Sequence, residues 1–128
     1  MSGLSEEQTR RVVALAMDLA RQGRTEELLE FLDHGLPANT QDEDGDSLLM
    51  LAAYHGHSAT VTALIEQGAD VDLRNGRNQS PVAGALFKGE DDVVAVLVEA
   101  GADLDGGEPS ARATAQMFGR QELLPNGG

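Results

Sequence analysis

Short apolar stretches alternate along the chain with clusters of Gly, Asn and Asp, and within each stretch the apolar residues recur three or four apart. That spacing is helical. Val61, Leu64 and Ile65 define one such face. Adding 33 to each number gives Val94, Leu97 and Val98, and subtracting 33 gives Leu28, Phe31 and Leu32. Ahead of these stripes Leu19-Ala20, Ala52-Ala53 and Ala85-Leu86 repeat at the same interval. The pattern predicts helices over about 5–21, 25–33, 47–54, 58–66, 81–87, 91–99 and 110–117, with a short last one near 120–124.

Glycine marks the stops in two phases, Gly23, Gly56 and Gly89 in one and Gly35, Gly68 and Gly101 in the other, each spaced by 33. A helix-turn-helix-loop unit needs a residue free to turn left-handed at both places. Ser5 with Gln8 fits a capping box, and Ser80-Pro81 sets a cap residue before a proline at the first helical position. Segments 36–46 and 70–79 are rich in turn formers and predict extended turns. Ser80 follows Ser47 by 33 residues, but Ser110 follows Ser80 by only 30, so the last unit is compressed and reads as a terminal cap.

No unit is large enough to bury its own stripe, so neighbours must cover one another. The expected architecture is all-α: a solenoid of about four helix-turn-helix units joined by β-turn or hairpin loops, with atypical terminal caps. We place the units at about 5–35, 36–68, 69–101 and 102–124, forming one domain over residues 1–124, and read 125–128 as a loose tail. The apolar face between Leu4 and Ala20 either docks as the N-terminal cap or meets a partner helix or a second copy.

Composition narrows the function classes. Hydrophobic residues make up 41%, mostly Ala, Leu and Val, which suits close helix packing, and the aromatics are only Phe31, Tyr54, Phe87 and Phe118. Nine basic against 22 acidic side chains give a formal charge of -13. Such a surface repels phosphate backbones and anionic membranes and favours basic or neutral partners. The absence of cysteine removes disulfides, thiolate nucleophiles and cysteine metal sites. No apolar run is long enough to cross a bilayer, and no basic leader precedes an apolar run, so the expected compartment is the cytoplasm.

The register then carries a resemblance. Asp42-Glu43-Asp44-Gly45-Asp46-Ser47-Leu48-Leu49-Met50-Leu51-Ala52-Ala53-Tyr54-His55-Gly56-His57, continued by Val61, Leu64, Ile65 and Gly68-Ala69-Asp70-Val71, resembles the ankyrin repeat. Ser47-Leu48 stands for the family's Thr-Pro and Met50 for its usual His. The following unit keeps Ser80-Pro81 and Gly101-Ala102-Asp103, while Glu90 replaces the turn histidine. The resemblance spans about residues 10–124. It implies a non-catalytic, protein-binding module whose turn tips and first helices form a concave contact face. On this chain those positions are Glu43, Asp44, Asp46, Tyr54 and His55 in one unit and Gly76, Arg77, Gln79, Phe87 and Lys88 in the next. Arg21 and Gln22 extend the strip at one end and Met117 and Phe118 at the other.

Individual residues leave alternatives. Tyr54 and Phe87, 33 apart, with Phe118 near the same place, form either a binding ridge or inter-unit packing. Asp42, Glu43, Asp44 and Asp46 read as a solvated acidic turn, or as a dock for a basic partner. They lack the spacing of a calcium loop. His57 matches the family's structural turn histidine, and with His55 and His34 it makes no zinc pattern, which needs three or four converging ligands. Asp70, Asp72, Asp103 and Asp105 are expected to hydrogen-bond the backbone of adjoining turns.

No nucleophile elbow, metalloprotease helix, phosphate loop or dinucleotide fingerprint is present, so neither catalysis nor a cofactor or metal is expected. The expected function is recognition of a partner protein, conceivably one with a basic patch, by a chain that is monomeric when unbound. The alternative is a dedicated subunit that stabilises or masks one enzyme. Small-molecule and nucleic-acid binding rank behind both.

Overall fold

The computed structural model describes residues 3–125. Seven α-helices follow in order: α1 (Glu6–Gln22), α2 (Thr25–Asp33), α3 (Leu48–Tyr54), α4 (Ser58–Glu66), α5 (Pro81–Lys88), α6 (Asp91–Glu99) and α7 (Ala111–Met117). A 3-10 turn at Gln121–Leu123 closes the series. The described residues form the expected all-α, helix-turn-helix repeat arrangement. Helices α1, α3, α5 and α7 pack side by side as an inner layer, and α2, α4, α6 and the 3-10 turn pack behind them as an outer layer.

The predicted helices differ from these mainly at the first residue. Ser5, Ser47 and Ser110 lie outside their helices as caps, with extended backbone, rather than opening them. The hydroxyl oxygens of Ser47, Ser80 and Ser110 accept the N–H groups of Met50, Ala83 and Ala113 at 3.0, 3.2 and 3.1 Å. At Ser5 the full capping box forms with Gln8. Each such cap is worth about 1 kcal/mol, and the four set a common starting plane for the inner helices.

Small residues explain how closely the inner layer packs. Ala16 and Ala20 on α1, Ala52 and Ala53 on α3, Ala85 on α5 and Ala111 and Ala115 on α7 are all buried. Larger aliphatics fill the space between layers: Leu28 from α2, Val61 and Leu64 from α4, and Val93, Val94 and Leu97 from α6. On α1, Ala16, Met17 and Ala20 join this same core, so the leading helix covers the second unit. Leu15 on its other side is exposed.

The turns stack through a ladder of backbone-directed side chains. Asn39 accepts the N–H of Asp70 at 2.7 Å, and Asp72, at the equivalent place, accepts the N–H of Asp103 at 2.7 Å. Asp70 and Asp103 each accept the N–H two residues on, at 2.9 and 3.0 Å. The four aspartates thus do the turn work expected of them, and two of the bonds also tie successive units. In the fingers the extended loops shrink to one antiparallel bridge, Gln41 with Ser47. There are no strands among the described residues. Asn126–Gly128 of the expected tail lie outside the described residues, while the carbonyl of Pro125 accepts from Arg112 at 3.0 Å.

Candidate protein-binding face

The first fingertip is built on one carboxylate. Asp42 Oδ1 accepts the N–H groups of Asp44 and Asp46 at 2.9 and 3.0 Å, which bends the chain through Gly45, at φ 81°. Asn75, 33 residues later, does the same for Arg77 and Gln79, both at 3.0 Å. The two tips touch: the N–H of Gly76 donates to the carbonyl of Asp44 at 2.9 Å. A Cβ on Gly76 would sit 2.8 Å from that carbonyl oxygen, and one on Gly45 would sit 2.6 Å from Gly76 N. Gly76 therefore serves fingertip stacking, a role that differs from the contact position the resemblance implies for it.

This architecture also accounts for the clustering of Asp42, Asp44 and Asp46, whose carboxylate oxygens lie within 4.8 Å of one another. Asp42 holds the turn. Asp46 Oδ1 accepts from Asn75 Nδ2 at 2.9 Å, and Asn75 Nδ2 also donates to Gln79 Oε1 at 2.8 Å. Of the nine expected contact residues, Asp46 and Gln79 are thus half-buried members of an inter-unit bridge. Glu43 and Asp44 stand exposed on the fingertip.

A groove of about 630 Å³ runs along the inner layer between the fingertips and the helix ends. Asp46, Tyr54, His55, Arg77, Gln79 and Phe87 line it, joined by Arg21, Met117 and Phe118 from the two ends. Lys88 reaches the same region, its Nζ 5.1 Å from the centre of the Tyr54 ring. Glu43 and Asp44 do not line it. The floor contains Met50, Ala83 and Gly84, which the sequence reading did not single out. Their signal was available: Met50 stands where the family carries a polar histidine, and Ala83 and Gly84 leave room above their helix. A Cβ at Gly84 would rest 3.4 Å from Met50 Sδ and 3.5 Å from Tyr54.

Counting from the serine caps orders the face. Tyr54, Phe87 and Met117 are each the seventh residue after Ser47, Ser80 and Ser110, and His55, Lys88 and Phe118 are each the eighth. Phe118 therefore shares the register of Lys88, and Met117 takes the place that was expected for Phe118. The aromatic rings divide between contact and exposure. Phe87 and Phe118 meet edge to face with centroids 5.7 Å apart, yet they remain 59% and 49% exposed, and Met117 is 64% exposed. Tyr54 is half-buried against the edge of His55.

The histidines separate as well. His57 Nε2 donates to the carbonyl of Arg21 at 2.7 Å, which ties the second unit to the first. His34 Nδ1 donates to the carbonyl of Glu30 at 2.7 Å within its own unit. His55 titrates below its ordinary value, first because its ring is partly buried and then because His57, Lys88 and Arg21 crowd it with positive charge; Glu90 acts in the opposite direction. Among the described residues, no helix is long and apolar enough to cross a membrane.

Residues 16–106 match the family model for ankyrin repeats in three copies. The chain is similar to an ankyrin repeat protein of Pseudomonas aeruginosa, with 52% identity over 54 residues that make up 42% of this chain and 32% of that protein. The match thus spans about a third of the relative's length.

Proposed function

The chain belongs to the ankyrin repeat family, a non-catalytic scaffold, and on that premise we propose that it recognises a partner protein through the concave groove. The observation that carries this reading is the row of solvent-facing apolar side chains Phe87, Met117 and Phe118, continued by Tyr54 over a groove of about 630 Å³. Isolated exposed apolar residues are ordinary; a contiguous set lining a concavity marks an interaction surface. Glu43 and Asp44 form an acidic rim beside it. With a charge of -13, the molecule draws a partner that is basic elsewhere on its surface, because the summed field acts before contact is made.

The test is capture of partners from the native host's extract by the wild-type chain and by the Tyr54→Ala, Phe87→Ala double variant, with thermal melts of both. The expected result is one dominant protein retained by the wild type and bound about ten-fold or more weakly by the variant, with nearly unchanged melting. Stability falling in step with binding would instead assign both rings to packing.

A further inference from the structure

The groove carries a charge opposite to that of the molecule. The whole chain has 22 acidic and nine basic residues, whereas the groove lining holds one carboxylate, Asp46, against two arginines, Arg21 and Arg77. The one acid is already hydrogen-bonded to Asn75. Lys88, the only lysine of the chain, adds a third cation at the lip. Arg21 pairs with Asp18 at 2.7 Å, but among the described residues neither Arg77 nor Lys88 forms an ion pair. In a chain with more than twice as many acids as bases, two unpaired cations beside one groove are a local excess.

Their placement is as informative as their sign. Arg77 belongs to the fingertip at the start of the third unit, and Lys88 ends its inner helix, so the two cations stand at opposite ends of α5. Between them lies the apolar strip of Phe87, Met117 and Phe118. At physiological salt the screening length is about 8 Å, so a group held between Arg77 and Lys88 senses them far more than the distant acidic surface.

Resting on the concave-face reading above, we infer that the groove takes an acidic, apolar-anchored segment of a partner protein: a large apolar side chain seated on Phe87, Met117 and Phe118, with flanking carboxylates at Arg77 and Lys88. The argument for this occupant is charge complementarity. A basic segment would set like charges against both free cations and would leave the groove to the apolar contact alone. The acidic fingertip at Glu43 and Asp44 lies outside the groove and acts on the remainder of the partner. The long-range attraction and the local contact therefore select different features of one protein.

A displayed library of random dodecapeptides, selected on the wild-type chain and on the Arg77→Glu, Lys88→Glu variant, tests this. Both substituted side chains are exposed, so the variant keeps its fold, and a thermal melt verifies it. The expected outcome is enrichment of peptides with Asp or Glu beside Phe, Leu or Met. These should bind the variant about ten-fold or more weakly and lose binding to the Tyr54→Ala, Phe87→Ala chain. Peptides that depend on Tyr54 and Phe87 but carry Lys or Arg, or no charge, would overturn this inference and leave the concave-face reading standing. Peptides indifferent to Tyr54 and Phe87 would overturn both. Self-association in sedimentation that Arg77→Glu abolishes would assign the groove to a second copy and overturn the partner segment.

Discussion

Ala52 is fully buried on α3, the helix held between α1 and α5. Its methyl group occupies a seam with no polar partner, so its size matters more than its hydrophobicity. A glutamate there would bring an unpaired charge into the core, which costs several kcal/mol. Ala52→Glu is expected to lose at least about 3 kcal/mol, enough to loosen or unfold the stack of a domain of ordinary stability. A native-like thermal melt of that variant would contradict the assignment of this seam. The closed position of Ala52 was legible from its place in the 33-residue register, since Leu19 and Ala85 flank it in sequence pattern. The pairing of Lys88 with the Tyr54 ring was not, because it joins two side chains 34 residues apart that no periodicity relates.

At the scale of elements, the turn between inner and outer helices shows how one position serves successive units differently. His57 packs against Gly23 and donates to the carbonyl of Arg21. Glu90, its counterpart one unit later, packs against Gly56 in the same way. An ionised carboxylate has no proton to give, so Glu90 cannot make the corresponding bond to the carbonyl of Tyr54. Glu90→His is therefore expected to stabilise the junction of the second and third units by about 1 kcal/mol, read as a higher midpoint in urea. An unchanged or lower midpoint would show that the carbonyl of Tyr54 is satisfied in another way. The substitution of Glu for His was visible in the sequence; the missing bond followed only from seeing which carbonyl faces that seat.

Across the whole molecule, the solenoid disperses most of its charge over fingertips and outer helices. A formal charge of -13 on a surface of 6942 Å² repels itself, and compactness brings those charges closer than they are in the unfolded chain. Raising the salt concentration from about 0.02 to 0.3 M shortens the screening length, and the melting temperature is expected to rise with it. A melting temperature that falls would mean that the surface ion pairs, Arg11 with Glu7 and Arg112 with Asp105 among them, outweigh the net repulsion.

The sequence by itself determined the repeat, the helices and their stops, and the residues that make the core, because each depends on local propensity and on periods shorter than one unit. It also marked out the strip of positions that faces the concavity, since a translation by one unit carries each contact position onto the next. What only the tertiary structure decided is how neighbouring units use those positions. The compressed last unit shifts the register by three residues, so Met117 takes the seventh place after the serine cap and Phe118 the eighth. The bridge from Asp46 through Asn75 to Gln79 withdraws an acid from the groove, and Arg77 and Lys88 are left there without partners. Pairing between side chains depends on distances set by stacking, which a one-dimensional period does not contain. That is why a chain with so large an acidic excess encloses a groove of the opposite sign.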